Sequence, residues 1–554
     1  MKLTKITAMV AAIATAAGLG AVAASSANAD VVTEGVKTIT LNATSAGQLA
    51  GHTFKVVKVA SYDVYGTAPN QSVTLKTEDA LKTDIADYLK YTGNGDPLAW
   101  AQQQDKAKLD QSTASPWLGD GTTRGLADKL ASKATTDITP TLSGDNKQAT
   151  FTLTSPGLWL IVDQAATGKS SKALPILAGT PLTINNNKVY SDGRIAMKNQ
   201  TASVGKTVTD QTVAAGQDAS YKITTTVPNY VGYKVKGYQF TVSDKFADDA
   251  PLSYKANTLI VKIGDQALTQ GTDYTVTGFD PTSKTFTIDL SAYIKAQGFG
   301  ISAPVDDSKF TNDKLVGKTV TVEYKATVTG STGNNGAANT PTIKYPNDPT
   351  NNEHKQEVPG TPVKVFNFDY TLVKKDKSTG AALEGAKFAI KNADGKYLAY
   401  TATADGGNKW SKLDAKPDAD ATSGVFTTGT DGKVKFPALD EGKYTIEEIA
   451  TPTGYVNVGV SFNFTIKANL TGTGADQTAN PTYTIDTDSA SSDRWGLVSN
   501  GSTAEVVVEN VKNITQLPLT GGAGTVLFTV VAALLISAGV TVGVVKSRKA
   551  STIA

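Results

Sequence analysis

The feature that most constrains this 554-residue chain is an uncharged apolar run from Ala523 to Val545. As a helix rising ~1.5 Å per residue, the run is long enough to cross the ~30 Å hydrocarbon core of a bilayer. Lys546, Arg548 and Lys549 follow the run, and basic residues beside a span favour the cytoplasmic side. The sequence therefore predicts a C-terminal transmembrane helix, with the residues before it outside the cytoplasm.

The N-terminal residues also predict export. Two lysines precede an apolar run from Ile6 to about Ala24, and residues 27–29 have the small-x-small form of a signal-peptidase site. We interpret residues 1–29 as a removed signal peptide. A retained membrane helix is the alternative, which the many Ala and Gly residues and the cleavage site disfavour.

A short motif stands just before the C-terminal run: Leu517-Pro518-Leu519-Thr520-Gly521. It resembles the sorting signal recognised by sortases, the transpeptidases of Gram-positive cell surfaces. The resemblance implies cleavage between Thr520 and Gly521 and transfer of the Thr520 carboxyl to an amine. The alternative is a plain membrane anchor with a chance pentapeptide, which the order of motif, span and basic tail disfavours.

The exported part has the composition of a β-protein without disulfides. Short alternating stretches rich in Thr and Val, with polar turns between them, favour β-sandwiches. The chain has 53 basic and 51 acidic residues, so its balance indicates neither nucleic acid nor a strongly charged partner. It contains no cysteine, which excludes disulfides, and only two histidines, which argues against a histidine triad or multi-histidine metal site. We predict no cofactor and no metal.

At ~100–200 residues per domain, the exported length predicts three or four domains. We predict mainly β structure, in tandem immunoglobulin-like sandwich domains forming an elongated array. Two short amphipathic helices are expected in the first domain, at residues 77–91 and 122–134. The predicted segments are a first domain at 30–198, a second at 199–358, a third at 359–515 and a sorting segment at 516–554, with a linker within 346–362.

In the second domain, three polar residues fall on strand faces that are otherwise apolar. Lys206, Asp244 and Asn339 each alternate in register with apolar neighbours. An isolated buried charge is costly, so we expect the three side chains to lie together. Pro341 is expected to interrupt the strand that carries Asn339.

The third domain repeats the same set of residue types. Lys374, Glu448 and Asn510 lie on apolar faces, whereas the neighbouring Lys375 and Glu447 fall on the opposite faces. A lysine, an acid and an asparagine therefore recur together in two domains.

This combination can form a covalent bond. Burial lowers the pKa of a lysine and raises that of a carboxyl, so the amine can be neutral and the acid protonated. The acid can then polarise the asparagine carbonyl and shuttle protons while the amine attacks and ammonia leaves. We predict isopeptide bonds between Lys206 and Asn339 and between Lys374 and Asn510, promoted by Asp244 and Glu448. Such bonds would stabilise a secreted chain that has no cysteine.

Longer motifs identify a family. Residues 444–455 resemble the pilin E-box, Y-x-L-x-E-x-x-A-P-x-G-Y, with Ile446 and Thr451 in place of Leu and Ala. Residues 374–388 resemble the opening, and residues 508–510 the closing strand, of a collagen-adhesin B-type (CnaB-like) domain. Together the motifs resemble the sortase-assembled, LPXTG-anchored backbone pilins of Gram-positive bacteria, nearest to actinobacterial fimbrial shaft subunits. The resemblance covers the whole chain and implies a CnaB-like third domain.

One further match concerns the polymerisation site. Residues 195–199 are similar to the pilin motif V-Y-P-K-N, with Ala196 and Met197 in place of Tyr and Pro. The resemblance implies that a pilin sortase joins Thr520 of one subunit to Lys198 of the next. If this stretch is extended, Lys198 points away from Ile195 and Met197, so we expect it to be exposed. The alternative is an exposed interdomain lysine without a role.

The resemblance implies a structural protein and sortase substrate, not an enzyme, that supports adhesion and colonisation at the cell surface. The implied partners are a pilin-specific and a housekeeping sortase, identical subunits, accessory pilins, peptidoglycan and host surface ligands. The alternative is a singly anchored adhesin or an accessory tip or base pilin with the same domains. A surface hydrolase is disfavoured, because adjacent acids such as Glu447 and Glu448 face opposite ways on a strand.

Overall fold

The computed structural model describes residues 30–103, 122–164, 171–185, 188–299, 308–310, 312–404, 406–486, 493–500 and 504–517. Within these residues the chain folds mainly into β-sheets, as the alternating stretches predict. No helix in these ranges is long and apolar enough to cross a membrane. The predicted signal peptide, the sorting motif after Leu517 and the predicted C-terminal span lie outside the described residues.

The described residues of the first domain include three helices: α1 (Lys82–Leu89), α2 (Pro97–Gln103) and α3 (Thr122–Leu130). The predicted helices at 77–91 and 122–134 correspond to α1 and α3 with the short 3-10 turns beside them. Its strands are β1 (Asp30–Val31), β2 (Thr38–Asn42), β3 (Phe54–Tyr65), β4 (Ser72–Thr77), β5 (Thr136–Ile138), β6 (Thr141–Leu142), β7 (Gln148–Thr152), β8 (Leu158–Asp163), β9 (Ile176–Gly179), β10 (Leu182–Ile184), β11 (Lys188–Ser191) and β12 (Arg194–Ala196).

Two sheets and the helices enclose two apolar clusters in this domain. The larger sheet has the order β1-β3-β8-β9, with β4 and β5 also paired to β3, and the smaller has the order β12-β2-β7-β6. Phe54, Phe151 and Ile195 lie in the cluster between the sheets. Ile85 and Leu126 belong to the cluster formed where the helices cover the other face of the larger sheet. β8 is buried along its whole length because both of its faces are covered.

The second domain is a sandwich of two sheets around one large core. One sheet has the order β13-β14-β21-β17-β18, with β16 on β21, and the other has the order β19-β20-β15-β22-β23, with β24 on β22. Its elements are β13 (Val204–Val208), β14 (Asp218–Thr226), β15 (Thr241–Phe246), β16 (Leu252–Tyr254), β17 (Ile260–Ile263), β18 (Gln266–Ala267), β19 (Thr275–Asp280), β20 (Thr285–Asp289), α4 (Ser291–Phe299), β21 (Thr319–Val328), β22 (Ala337–Pro346), β23 (Lys355–Pro359) and β24 (Val363–Val365).

The third domain also packs two sheets around one core. One sheet has the order β30-β25-β37-β36, in which β25 and β37 run parallel, and the other has the order β28-β27-β26-β31-β32-β35, with β29 on β26. Its strands are β25 (Phe368–Asp376), β26 (Lys387–Asn392), β27 (Tyr397–Ala402), β28 (Asn408–Leu413), β29 (Phe426–Thr427), β30 (Lys433–Leu439), β31 (Gly442–Ala450), β32 (Ser461–Lys467), β33 (Leu470–Thr471), β34 (Thr478–Ala479), β35 (Thr482–Ile485), β36 (Val498–Asn500) and β37 (Glu505–Asn510).

The predicted linker at residues 346–362 is wrong. β23 lies in this range and pairs antiparallel with β22, and β24 pairs with the same strand further along. The second sandwich therefore continues to Val365, and the third starts with β25 at Phe368. The proline and asparagine signals that suggested a linker come from the turn before β23 and from Pro359, which ends that strand at the sheet edge, where proline is tolerated.

The strand that carries Asn339 is also more regular than predicted. β22 runs without a break through Pro341, which lies opposite Asp244 of β15. On its other side β22 changes partner near this point, from β24 at Asn339 to β23 at Thr342. Pro341 has no backbone N–H to donate, and this costs little at the point where the pairing of β22 with β24 ends and its pairing with β23 begins.

Candidate cross-linking sites

The second-domain residues predicted to react lie together in the core between its sheets. Lys206 Nζ is 2.6 Å from Asp244 Oδ1 and 2.5 Å from Oδ2, and the side chains of both residues are 0% exposed. Lys206 Nζ also donates to the Tyr324 hydroxyl at 2.7 Å. Asn339 Nδ2 donates to that same hydroxyl at 2.6 Å. The strands thus bring a lysine, an acid and an asparagine into one hydrogen-bonded group.

Burial sets the charge states in this group. It lowers the pKa of Lys206 to about 8, against the opposing effect of Asp244. Burial also raises the pKa of Asp244, and hydrogen bonds from Lys206, Tyr324 and Asn339 offset only part of the rise. Because the two shifts move the pKa values towards each other, transfer of the proton from ammonium to carboxylate, which leaves a neutral amine beside a protonated acid, costs less than it would in water.

The third-domain group is built from two neighbouring strands and one facing strand. Lys374 on β25 and Asn510 on β37 point inward from the same sheet, and Glu448 on β31 reaches them from the other. Lys374 Nζ lies 3.2 Å from each Glu448 carboxylate oxygen, and Asn510 Nδ2 donates to Glu448 Oε1 at 2.9 Å. Glu448 therefore contacts both residues that are predicted to react.

The electrostatics repeat those of the second domain. Burial lowers the pKa of Lys374 to about 8, while Glu448 opposes the shift. Burial raises the pKa of Glu448, partly offset by Lys374 and Asn510. The Phe388 ring lies 5.6 Å from Lys374 Nζ and contributes to the apolar surroundings.

The asparagine carbonyl is the predicted electrophile in both groups. Asn339 Oδ1 and Asn510 Oδ1 are buried and accept no hydrogen bond from any described residue. An unsatisfied buried carbonyl is costly. The arrangement allows amine attack on the amide carbon with loss of ammonia, and water is excluded throughout.

Strand parity predicted these faces correctly. Glu447 lies on the opposite side of β31 from Glu448 and pairs with Lys416 at 2.9 Å and with Lys391. These partners lower the pKa of Glu447 to about 2 even though partial burial opposes them. Glu447 is therefore a charged surface residue, as its parity indicates. Tyr324 was missed, because in an alternating strand a tyrosine cannot be distinguished from any other core aromatic.

Lys198 is not exposed, contrary to the expectation from parity. Only 9% of the residue is accessible, and Met197 before it and Asn199 after it are buried too. β12 ends at Ala196, so alternation does not extend to Lys198. The segment is instead held from both sides: Asn199 exchanges hydrogen bonds with Gln48 of the first domain, and Gln200 donates to the Asn229 carbonyl of the second at 3.1 Å.

Lys198 lines a small cleft between the first two domains, together with residues such as Leu174 and Tyr233. Burial lowers the pKa of Lys198 to about 7, and the nearby Arg124 adds to the shift while Asp128 opposes it. No carboxylate of the described residues lies within ion-pair distance of Lys198. Asn199 and Asn229 line the same cleft, but unlike Lys206 and Lys374, Lys198 has no adjoining acid among the described residues to promote a reaction with an asparagine.

The first-domain lysines on strands form ordinary ion pairs. Lys58 Nζ lies 3.3 Å from Glu78, and Lys55 Nζ lies 3.9 Å from the exposed Asp137. Among the described residues, no asparagine hydrogen-bonds to either lysine–acid pair, so neither pair repeats the lysine, acid and asparagine set of the other domains. The buried polar pair of this domain is His52 with Asp163, 2.7 Å apart.

The sorting motif begins at the edge of the described residues. Leu517 is 4% exposed and packs on the third-domain core. Pro518, Leu519, Thr520 and Gly521 lie outside the described residues, so the predicted cleavage point has no structural description.

Two segments match known protein families. Residues 368–479 match the family described as a prealbumin-like fold domain, and residues 509–551 match the LPXTG cell wall anchor motif. The third domain thus has a prealbumin-like fold, and the C-terminal segment is a cell-wall anchor. The comparison with curated protein sequences gives no significant match.

Solved structures of pilins resemble the chain loosely. The T6 backbone pilin of Streptococcus pyogenes is 16% identical, with 87% of this chain and 100% of that chain covered and a TM-score of 0.47. The major pilin SpaD of Corynebacterium diphtheriae is 16% identical, with 87% and 99% covered and a TM-score of 0.43. The pilus 2b backbone protein of group B streptococcus is 26% identical, with 56% and 98% covered and a TM-score of 0.35. At these scores the likenesses carry no argument about this chain.

Proposed function

We propose that this chain is the structural shaft subunit of a covalently polymerised surface pilus. The proposal rests on the match of residues 509–551 to the LPXTG cell wall anchor motif, because sortases cleave proteins at this motif. Sortase cleaves between Thr520 and Gly521 and transfers the Thr520 carboxyl to Lys198 of the next subunit. The partners are pilin-specific and housekeeping sortases, identical and accessory pilins, and peptidoglycan.

Head-to-tail joining of this kind gives a filament. The donor Thr520 and the acceptor Lys198 are different groups of the subunit, separated in sequence by the second and third domains, so each bond leaves one donor and one acceptor free at the ends of the growing chain. The amine of Lys198 suits the acceptor role chemically, because its pKa of about 7 leaves much of it neutral and nucleophilic at neutral pH. Its burial requires that the cleft between the first two domains widens when sortase delivers the acyl group.

The two intramolecular cross-links belong to the same proposal. Lys206 joins Asn339 with the help of Asp244, and Lys374 joins Asn510 with the help of Glu448. Both groups are supported by their hydrogen bonds and burial. The chain therefore catalyses only its own cross-links.

A singly anchored adhesin, or an accessory tip or base pilin, is the second candidate. The burial of Lys198 favours it, since an acceptor must enter another protein's active site. In that case Lys198 is a structural residue of the domain boundary, and the anchor attaches one chain to peptidoglycan.

An immunoblot of cell-wall extracts separates the candidates. We expect wild type to give a high-mass ladder, and Lys198→Ala and Lys198→Arg to give only monomer that is still anchored through Thr520, because a guanidinium stays protonated. Lys172→Arg, which changes a second lysine of the same cleft, is the matched control and should keep the ladder. Tryptic mass spectrometry should find Thr520 joined to Lys198. A ladder in Lys198→Ala would reject this acceptor, and a single wild-type band would favour the anchored adhesin.

A further inference from the structure

The hydroxyl of Tyr324 occupies the centre of the second-domain group. It accepts hydrogen bonds from Lys206 Nζ at 2.7 Å and from Asn339 Nδ2 at 2.6 Å. It donates its own proton to Asp244 Oδ2. One oxygen atom thus contacts the attacking nitrogen, the leaving nitrogen and the acid.

The tyrosine ring is fixed so that its hydroxyl stays at this point. Tyr324 lies inward on β21, and its ring stacks on Tyr221 at 5.3 Å and meets Phe286 edge-on at 5.0 Å. The residue is 2% exposed. A hydroxyl on a ring packed from several sides needs no reorganisation before the reaction, which is how a preorganised group lowers a barrier.

The third domain shows what the hydroxyl replaces. There Glu448 itself accepts from the asparagine amide nitrogen, at 2.9 Å. Asp244 is one methylene shorter, and the hydrogen bond of ordinary geometry from Asn339 Nδ2 runs to Tyr324 instead. Asn339 is still close enough to offset part of the rise in the pKa of Asp244. The tyrosine hydroxyl thus extends the shorter acid towards the leaving nitrogen.

We propose that Tyr324 is a catalytic residue for the Lys206–Asn339 cross-link, relaying a proton from the Asp244 carboxyl to the departing amide nitrogen of Asn339. The inference rests on the proposed second-domain cross-link and assigns to it a residue outside the lysine, acid and asparagine set. It does not extend to the third domain, where Glu448 contacts both reacting residues directly.

The step balances without any external reagent. Lys206 gives its ammonium proton to the Asp244 carboxylate, and the neutral amine attacks Cγ of Asn339. The carbonyl electron pair moves onto Oδ1 as the new bond forms. Tyr324 then passes its proton to Nδ2 of Asn339 and regains one from the Asp244 carboxyl. The pair on Oδ1 returns as the bond from Cγ to Nδ2 breaks, and the bonding pair leaves with the nitrogen as ammonia. The nitrogen that came from Lys206 gives its second proton to the Asp244 carboxylate, so the products are a secondary amide, ammonia and a protonated Asp244.

The test uses Tyr324→Phe in the full exported chain, with Tyr221→Phe as the matched control. Both substitutions remove one hydroxyl from stacked rings in the same core. The Tyr221 hydroxyl is buried and has no hydrogen bond of ordinary geometry with a described residue, although Asn339 lies near enough to moderate its pKa. Cell-free synthesis followed by intact mass and peptide mapping gives the rate of ammonia loss in each domain.

We expect Tyr324→Phe to slow the second-domain bond roughly 100-fold, the scale of a lost proton-transfer group. Tyr221→Phe should form it at close to the wild-type rate, which shows that the second-domain core tolerates loss of a hydroxyl from the ring pair. The Lys374–Asn510 bond should form normally in both variants, which shows that the third domain has folded. The acid limb of the pH profile for the rate of second-domain bond formation should also change in Tyr324→Phe. If the hydroxyl had only a structural role, its removal would leave that limb unchanged.

Each other outcome is informative. A wild-type rate in Tyr324→Phe overturns the role of Tyr324 and leaves the cross-link standing. Equal slowing in both variants assigns the effect to packing of the ring pair and also overturns it. A wild-type chain with no second-domain bond overturns the cross-link itself, and the role of Tyr324 with it.

Discussion

The second and third domains bring the same three residue types together from different strand arrangements. In the second, Lys206 stands on one sheet, and Asp244 and Asn339 stand on neighbouring strands of the other. In the third, Lys374 and Asn510 stand on adjacent parallel strands of one sheet, and only the acid comes from the other. One bond would join two sheets and the other two strands. Two different strand topologies thus assemble a dry, hydrogen-bonded group of the same residue types.

The acids differ together with the strand arrangement. Glu448 spans the third-domain core unaided, whereas Asp244 shares its contacts with the hydroxyl of Tyr324. A comparison of the two groups therefore separates what every such site needs from what one geometry adds.

Removal of the third-domain acid should have the largest effect. We expect Glu448→Ala to leave Lys374 and Asn510 unjoined, because nothing else described there can carry the protons. A cross-link closing so long a loop contributes roughly 4–5 kcal/mol through the unfolded state, so the melting temperature of the third domain should fall. Glu447→Ala should keep the bond, since Glu447 faces Lys391 and Lys416. If both variants behave alike in intact mass and calorimetry, the assigned register of β31 is wrong.

The unbonded forms give a closer comparison of the two domains. Asn339→Ala and Asn510→Ala each remove one cross-link while keeping the buried lysine and acid together. The loops that the bonds close are of nearly equal length, so loop entropy predicts similar losses of about 4–5 kcal/mol in unfolding free energy. Denaturant titration of each variant measures them. A markedly smaller loss in the second domain would mean that joining two sheets strains the native state.

Shortening the third-domain acid should have an intermediate effect. We expect Glu448→Asp to slow the Lys374–Asn510 bond by about tenfold or more, since a retracted carboxyl loses contact with the proton donor and acceptor. Among the described residues, no tyrosine hydroxyl hydrogen-bonds to Lys374, so none could bridge the distance left by the shorter side chain. Time-resolved intact mass measures the rate, with the second-domain bond as the internal reference. An unchanged rate would show that the length of the acid is unimportant.

The pH dependence of bond formation should be similar in the two domains. Each group reacts with one proton shared between lysine and acid, and both lysines have a pKa of about 8. The rate should fall at acid pH, where the raised carboxyl and the lysine are both protonated, and at alkaline pH, where both are deprotonated. Cell-free synthesis in buffers from about pH 5 to 10, roughly the range over which the shifted groups titrate, would measure the rate of bond formation. A monotonic rise with pH would argue that the acid is not needed as a proton donor.

Lys198 extends the comparison to a buried lysine without an adjoining acid among the described residues, and here the expected change is a gain in stability. Its folded pKa of about 7 lies below its unfolded value, so burying the charge has its full cost below pH 7, and the cost fades as pH rises towards ~10.4. We expect Lys198→Met to be more stable by up to about 4 kcal/mol at pH 7 and within about 1 kcal/mol of wild type at pH 10. Urea unfolding at the two values checks this. An equal difference at both would mean that packing, not charge, sets it.

Strand alternation predicted most of the two reactive groups. A charged or amide residue in register with Val and Ile is conspicuous in a strand. This pattern predicted Lys206, Asp244 and Asn339 in the second domain, and it predicted Lys374, Glu448 and Asn510 in the third. Tyr324 could not be found this way, because only the three-dimensional packing shows that its hydroxyl reaches the other sheet. Its contribution depends on how β21 packs across the core from β15 and β22 of the facing sheet.

Prediction failed where the chain leaves a regular element. Lys198 was assigned by alternation beyond Ala196, and the backbone there turns into the boundary between two domains, where both faces are covered. Local composition also made residues 346–362 look like a linker. The pairing of β23 and β24 with β22 depends on partners distant in sequence, which composition does not report.

The two proposed cross-links would have a mechanical consequence. Tension applied at Lys198 and Thr520 would run along the backbone to Lys206, cross to Asn339, continue to Lys374 and cross again to Asn510. The polypeptide between each pair of joined residues would carry no load. Each domain would then resist extension through covalent bonds, and its sheets could fluctuate or open locally without any change in the length of the fibre.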